Sequence, residues 1–128
     1  MTPAVSVALI DDDLSVRRAF RRLLRYCGYA VADYPSVSAF LKDAATGMLD
    51  CVLVDVRMPG ATGLALAEHL RDRGVGVPII LMTGDADASL DQKAAHLGVS
   101  ALLRKPVNDA AILAAIEQAT AARPMRKS

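Results

Sequence analysis

Charged residues stand directly after short apolar runs at three places in this sequence. The three are Asp11-Asp12-Asp13, Asp55 and Lys105-Pro106. Apolar runs of this length are typical of buried strands, and open α/β sheets bind ligands outside the carboxyl ends of their strands. We therefore expect the three groups to converge on one crevice. Carboxylates and an ammonium there would suit a divalent cation and a phosphoryl group.

The aspartate triplet has two interpretations. Aspartate is a favoured helix N-cap, which accounts for Asp13. The carboxylates of Asp11 and Asp12 would repel each other at the sheet edge, and this repulsion raises their proton affinity unless a cation is present. Because oxygen ligands dominate and no His or Cys stands nearby, the pattern favours Mg²⁺ over Zn²⁺.

Asp55 follows the run Cys51 to Val54, which predicts a fully buried central strand. Acids seldom occupy such a place unpaired. Asp55 either caps the next loop or acts as a nucleophile that attacks phosphorus to form an acyl phosphate. In the second case, a metal ion held jointly by Asp12 and Asp55 would offset the charge of the phosphoryl oxygens.

Thr83 and Lys105 each have a structural and a functional interpretation. A strand-end threonine commonly makes only a local turn bond, yet the hydroxyl of Thr83 could also bond a phosphoryl oxygen, with Gly84 allowing close approach. Lys105 could be a solvated lysine at a strand end. Pro106 favours a specific role, because an X-Pro bond in a tight turn can be cis and would fix the direction of the lysine.

Strand and helix patterns alternate five times along the chain. The predicted strands are Val5 to Ile10, Tyr29 to Tyr34, Cys51 to Val54, Pro78 to Met82 and Ala101 to Leu103. The predicted helices run from about Val16 to Cys27 with an arginine-rich outer face, Ser36 to Leu41, Thr62 or Gly63 to Gly74, Ala86 to Leu97, and onward from Asn108. This alternation predicts a doubly wound α/β fold with a parallel sheet covered on both faces.

Length, charge, cysteine content and the absence of long apolar runs limit the classes of protein to which this sequence can belong. The 128 residues suit one domain, assigned to 1–122, with 123–128 as a basic tail or the start of a linker. A net charge of +1 gives no broad attraction to nucleic acid or membrane. Cys27 and Cys51 have no metal-ligand spacing and are expected to be small buried residues. Without a signal peptide or an apolar run of about 18 residues, the expected location is cytoplasmic.

Together these motifs resemble the receiver domain of two-component response regulators over about residues 5 to 120. The matching segments are Ile10-Asp11-Asp12-Asp13, Val54-Asp55-Val56-Arg57-Met58-Pro59-Gly60, Met82-Thr83-Gly84 and Arg104-Lys105-Pro106. The segment around Asp55 and the Thr-Gly pair look most like receivers of the FixJ/NarL type, especially the FixJ-like branch. The resemblance implies a flavodoxin-like (βα)5 fold with strand order 2-1-3-4-5.

The resemblance also implies a role for each site residue. Asp55 would be the phosphoacceptor. Asp12 would bind Mg²⁺ directly and Asp11 through water, and Asp55 and the backbone carbonyl of Arg57 would complete the protein ligands. Lys105 would pair with the phosphoryl group and Thr83 would hydrogen-bond it. A histidine kinase or phosphotransfer protein would donate the group. The domain would catalyse its own phosphorylation and dephosphorylation without being a conventional enzyme.

One position departs from the family's pattern. Where the family usually has Tyr or Phe, three residues before the lysine, this sequence has Leu102. We expect the surface of the fourth helix, fifth strand and fifth helix to change little or differently on phosphorylation. A homodimer through that face is also expected to be possible. Arg57 and Asp85 are expected to flank the pocket, either as solvated loop charges or as groups that tune the lifetime of the phosphoryl group.

Other functions remain open from the sequence. The domain could stand alone or regulate a longer transcription factor. It could be a pseudo-receiver scaffold, although no site residue is lost. It could also be a phosphatase with an Asp nucleophile, but such enzymes typically carry a second acid two residues after the nucleophile, where this sequence has Arg57.

Overall fold

A computed structural model describes residues 4–43, 48–58, 60, 62–84 and 88–121. The strands are β1 (Ser6–Ile10), β2 (Ala30–Tyr34), β3 (Cys51–Asp55), β4 (Ile79–Thr83) and β5 (Ala101–Arg104). The helices are α1 (Leu14–Tyr26), α2 (Val37–Lys42), α3 (Gly63–Asp72), α4 (Ala88–Leu97) and α5 (Asp109–Ala121). All strand pairs are parallel, in the order β2-β1-β3-β4-β5. The predicted fold class and strand order are confirmed.

Side chains of the central strands alternate between two apolar layers. Val52 and Val54 of β3 pack in one layer with buried residues of α2, α3 and α4, whereas Cys51 and Leu53 pack in the other with buried residues of α1 and α5. Every residue of β3 and β4 is buried. Strands covered on both faces are apolar throughout, which is why their sequences read as continuous apolar runs.

Polar residues begin four of the helices as predicted. The side chain of Asp13 accepts hydrogen bonds from the backbone N–H groups of Ser15 and Val16. The side chains of Ser36, Thr62 and Asn108 accept one each from the residue three positions later, at 3.0, 3.1 and 2.7 Å. These bonds satisfy backbone donors that have no partner inside the helix.

The predicted boundaries that lie in the described residues agree with the structure to within about two residues. Strands β3 and β4 each extend one residue further than predicted, so Asp55 and Thr83 are their last residues. The start of the fourth helix was predicted at Ala86, which lies outside the described residues. In the described part of the chain, no helix combines the length and the apolar character that crossing a bilayer requires.

The prediction that both cysteines are buried is wrong for one of them. Cys51 is buried in β3, but Cys27 is exposed at the end of α1. Cys27 follows the last turn of the helix, where the chain turns away through Gly28 at a φ of 94°. The helical spacing that relates Cys27 to the apolar face does not extend to a residue that is no longer helical.

Candidate functional site

The sheet brings the predicted site residues to one edge. Within it, Ile10 of β1 is in register with Val54, which precedes Asp55, and Asp55 is in register with Met82, which precedes Thr83. Asp11 follows β1 directly, and Lys105 follows Arg104 at the end of β5. The convergence predicted for the carboxyl ends of these strands is what the fold produces.

Each carboxylate oxygen of Asp55 has a hydrogen-bond donor. The side chain is largely buried, since the residue is only 7% exposed. Oδ1 accepts a hydrogen bond from the backbone N–H of Arg57 at 3.0 Å, and Oδ2 accepts one from Nζ of Lys105. A buried carboxylate is tolerable when it is paired in this way. The two donors therefore hold the carboxylate of Asp55 in a fixed orientation.

Lys105 connects the acidic residues to the end of β4. Its peptide bond to Pro106 is cis, as the tight turn suggested. Its backbone N–H donates to the carbonyl oxygen of Thr83 at 2.7 Å, and Nζ also lies 3.5 Å from Oδ2 of Asp11. Burial lowers the pKa of Lys105, but the hydrogen bond to Asp55 and the charges of Asp11 and Asp55 outweigh burial. The net effect raises the pKa, so the ammonium stays charged.

Asp11 is fully buried, unlike its neighbour Asp12. Oδ1 accepts a hydrogen bond from the backbone N–H of Asp13 at 2.9 Å. Burial raises the pKa of Asp11, and the nearby charge of Asp55 adds to this effect. The hydrogen bond from Asp13 and the charge of Lys105 offset burial only in part. A second cation beside Asp11 would favour its ionised form.

Three carboxylates form a cluster that fits a hard divalent cation. One oxygen from each of Asp11, Asp12 and Asp55 lies within 4.8 Å of the others. The donors are all oxygen, which is the preference of Mg²⁺. The exposure of Asp12 leaves the cluster open on one side, and Mg²⁺ usually keeps several waters of its own. The residues present therefore fit the ion that the sequence predicted.

The other residues predicted for the site have different surroundings. Thr83 is fully buried at the end of β4. The backbone of Arg57 adjoins Asp55, while its side chain is exposed. Leu102 is half-buried, in register with Leu81, and packs against the apolar layer beneath α3 and α4. Asp85 lies outside the described residues.

Two contributors to the site were not predicted from the sequence. Arg17 of α1 donates from Nη1 to the carbonyl oxygen of Asp11 at 2.9 Å, whereas the sequence predicts only an arginine-rich outer face for this helix. A Cβ atom added to Gly63, the first residue of α3, would lie 2.7 Å from the carbonyl oxygen of Asp55. Neither contact has a local sequence signal, because each joins residues from different elements.

Sequence comparison gives one family and a consistent set of relatives. Residues 7–117 match the response regulator receiver domain family. The chain is 41% identical over 116 residues to the transcriptional regulatory protein FixJ of Azorhizobium caulinodans, which covers 91% of this chain and 55% of the relative. It is 33% identical over 122 residues to the response regulator protein TodT of Pseudomonas putida, covering 95% of this chain and 54% of the relative. The chain thus spans about half the length of these curated relatives.

Comparison with solved structures gives the same family as the sequence comparison. The crystal structure of FixJ-N matches with a TM-score of 0.85 at 29% sequence identity, covering 98% of this chain and all of the other. The family match extends over nearly every element described above, from within β1 into α5. The site residues Asp11, Asp12, Asp55, Thr83 and Lys105 all fall within it. This chain therefore belongs to the response regulator receiver domain family, a family of signalling proteins.

Proposed function

We propose that this receiver domain accepts a phosphoryl group from a histidine kinase or phosphotransfer protein onto Asp55, in a reaction that requires Mg²⁺. The change would alter the domain's interaction surface and so control a downstream response. The relatives named as transcriptional regulators support transcription as that response. The observation that carries the proposal is the contact of one ammonium, that of Lys105, with both buried carboxylates, Asp55 and Asp11.

The reaction begins with attack on phosphorus by a carboxylate oxygen of Asp55. A P–O bond forms to Asp55 while the P–N bond to the donor imidazole breaks, and the imidazole leaves with the bonding electron pair. The hydrogen bond from the Arg57 N–H holds one oxygen of Asp55 and orients the carboxylate. Mg²⁺ held by Asp11, Asp12, Asp55 and the carbonyl of Arg57 would supply positive charge toward the phosphoryl oxygens.

Lys105 and Thr83 are assigned to the phosphoryl group, which they would contact during its transfer and in the product. Once Asp55 carries the phosphoryl group, the ammonium of Lys105 can pair with a phosphoryl oxygen in place of the lost carboxylate charge. The Thr83 hydroxyl would bond another phosphoryl oxygen. The backbone bond between Lys105 and Thr83 couples these two residues, so a shift at one is transmitted to the other. Attack by water on the acyl phosphate, with cleavage of its P–O bond, would later restore Asp55.

Intact-mass measurement after incubation with acetyl phosphate and Mg²⁺ tests the proposal. We expect one phosphoryl adduct on the wild-type protein, none on Asp55→Asn, and an unchanged adduct on Asp91→Asn, a matched change of an exposed aspartate on α4. Loss of the adduct with excess EDTA would establish the metal requirement. A folded protein that forms no adduct under any Mg²⁺ condition would overturn the proposal and leave a protein-binding scaffold. Rapid turnover of a generic phosphoester would instead indicate a phosphatase.

A further inference from the structure

We propose that Arg17 is a positioning residue for the magnesium site, acting through the backbone of Asp11. This inference rests on the proposed function, because it concerns the same carboxylate cluster. Arg17 makes two contacts at once. Nη1 donates to the carbonyl oxygen of Asp11 at 2.9 Å, and Nε donates to Oδ2 of Asp33 on β2 at 3.1 Å.

The first contact fixes the peptide that joins the two metal-binding carboxylates. The carbonyl of Asp11 belongs to the peptide group between Asp11 and Asp12. On the other side of Asp11, its N–H donates to the carbonyl oxygen of Tyr34 at 3.2 Å, which is the last residue of β2. The backbone of Asp11 is thus held at both of its polar groups. Because β1 has ended, no strand within the described residues orients this carbonyl, and Arg17 supplies that constraint.

The second contact fixes Arg17 itself. Its side chain is 13% exposed, and the side chain of Asp33 is 18% exposed. A guanidinium that is this well covered needs a charged partner, and Asp33 provides one. Arg21, one turn later on α1, donates to the other oxygen of Asp33 at 2.9 Å but has no bond to Asp11 among the described residues. Arg21 is therefore a natural control for Arg17.

The sign of the change in Mg²⁺ affinity on removing Arg17 distinguishes a positioning role from an effect of its charge. Removing a cation from beside a carboxylate cluster should strengthen the binding of Mg²⁺, since the repulsion between the two cations is lost. Loss of positioning should weaken binding, because residues that orient metal ligands typically contribute tenfold or more to metal affinity. The two effects have opposite signs. Weaker Mg²⁺ binding after removal of Arg17 would report positioning.

Isothermal titration of the full chain with MgCl₂, without any phosphodonor, measures the effect directly. We expect Arg17→Met to raise the Kd for Mg²⁺ about tenfold. Arg21→Met should leave the Kd within about twofold of the wild-type value or lower it, because it removes a similar charge without freeing the Asp11 carbonyl. Amide shifts in a ¹H–¹⁵N spectrum of the metal-free protein should change for Asp12 in the first variant and not in the second.

The outcomes are distinct. Equal Mg²⁺ affinities for Arg17→Met and Arg21→Met would overturn the positioning role while leaving the magnesium site intact. No Mg²⁺ binding by the wild-type protein would overturn the site itself and the positioning role with it. If Arg17→Met does not fold, Arg17→Lys is used. A lysine keeps the charge beside Asp33 but lacks the planar fork that reaches two acceptors, so it should also weaken Mg²⁺ binding.

Discussion

The ammonium of Lys105 donates a hydrogen bond to the carboxylate of Asp55, a residue fifty positions earlier in the chain. Parallel strands β3 and β5 do not touch each other, because β4 lies between them. The lysine reaches Asp55 from the turn after β5, where its own N–H is anchored to Thr83 at the end of β4. The contact therefore depends on the order of three strands. It places a positive charge where the proposed phosphorylation of Asp55 would add negative charge.

Replacing Lys105 should separate metal binding from phosphorylation. In Lys105→Met, Mg²⁺ should bind about thirtyfold more tightly, which corresponds to the loss of ~2 kcal/mol of repulsion between a divalent ion and an ammonium roughly 4 Å apart at the dielectric constant of water. Phosphorylation of Asp55 by acetyl phosphate should slow by about a hundredfold, the scale of losing one group that stabilises transition-state charge. Calorimetry and intact-mass kinetics measure the two effects. Lys93→Met, on exposed α4 surface, should change neither. Equal phosphorylation rates for Lys105→Met and the wild-type protein would contradict the role of Lys105.

Asp11 should oppose folding when the metal is absent. Burial raises its pKa, so ionisation at neutral pH costs free energy in the folded state. In EDTA, Asp11→Asn should increase the free energy of unfolding by on the order of 1 kcal/mol, the scale of desolvating a buried polar group. Asp12→Asn, at an exposed position, should not increase the free energy of unfolding in EDTA. Excess Mg²⁺ should then raise the free energy of unfolding more for the wild-type protein than for either variant, as measured by urea unfolding. A less stable Asp11→Asn in EDTA would refute this.

The strand pattern was predictable because burial on both sides leaves a continuous apolar run, as in Cys51 to Val54. The convergence of Asp11, Asp55 and Lys105 was predictable to the same extent, since each stands at or directly after the end of a strand. Arg17 could not be assigned from sequence. On a helix rich in arginine, only the position of β2 decides which guanidinium reaches Asp33. Cys27 was predicted to be buried from its helical spacing, but it is exposed because it lies just beyond the last residue of α1.

Gly63 should tolerate no side chain, because α3 begins in contact with the backbone of β3. A Cβ at this position would lie 2.7 Å from the carbonyl oxygen of Asp55 and 3.2 Å from Cδ2 of Leu81. Gly63→Ala should lower the free energy of unfolding by about 1–3 kcal/mol, as overpacking typically does. It should also slow phosphorylation of Asp55. Gly76→Ala is the matched control, since a Cβ there would meet nothing within 4 Å.

The control should change stability in the opposite direction. At an unstrained position, replacing glycine with alanine typically stabilises by about 0.4–1 kcal/mol, since the unfolded chain loses freedom. Urea denaturation compares the two variants. Similar stabilities for Gly63→Ala and Gly76→Ala would show that α3 can move away from Asp55 at little cost.

Tyr34 should make the stability depend on pH in the alkaline range. Burial, followed by the hydrogen bond to Asp43, raises the pKa of Tyr34 from 10.0 to about 12. Tyrosine in the unfolded chain therefore loses its proton first. The contribution of Tyr34 is fully present below pH 10.0 and is lost as the pH rises through about 12. Urea unfolding across this range should show a smaller fall for Tyr34→Phe than for the wild-type protein.

Tyr26 provides the control for this pH dependence. It is 90% exposed, so Tyr26→Phe should leave the alkaline fall in stability unchanged. Absorbance titration of the tyrosinates should lose its latest step in Tyr34→Phe and keep it in Tyr26→Phe. A wild-type titration complete near the ordinary tyrosine value would disprove the shift.

Leu102 should report little of the phosphorylated state. It is half-buried, lies beside Leu81 in the sheet, and packs on the apolar layer beneath α3 and α4. Moving it outward would expose apolar surface, and a leucine has no hydroxyl to solvate there. With Mg²⁺ and beryllium fluoride as a phosphoryl mimic, the methyl shifts of Leu102 should change little, while the methyl of Thr83 shifts clearly. A change of Leu102 rotamer as large as that at Thr83 would mean that the leucine itself switches. Little change in the methyl shifts of Leu102 would mean that the surface that responds to phosphorylation lies elsewhere on the domain.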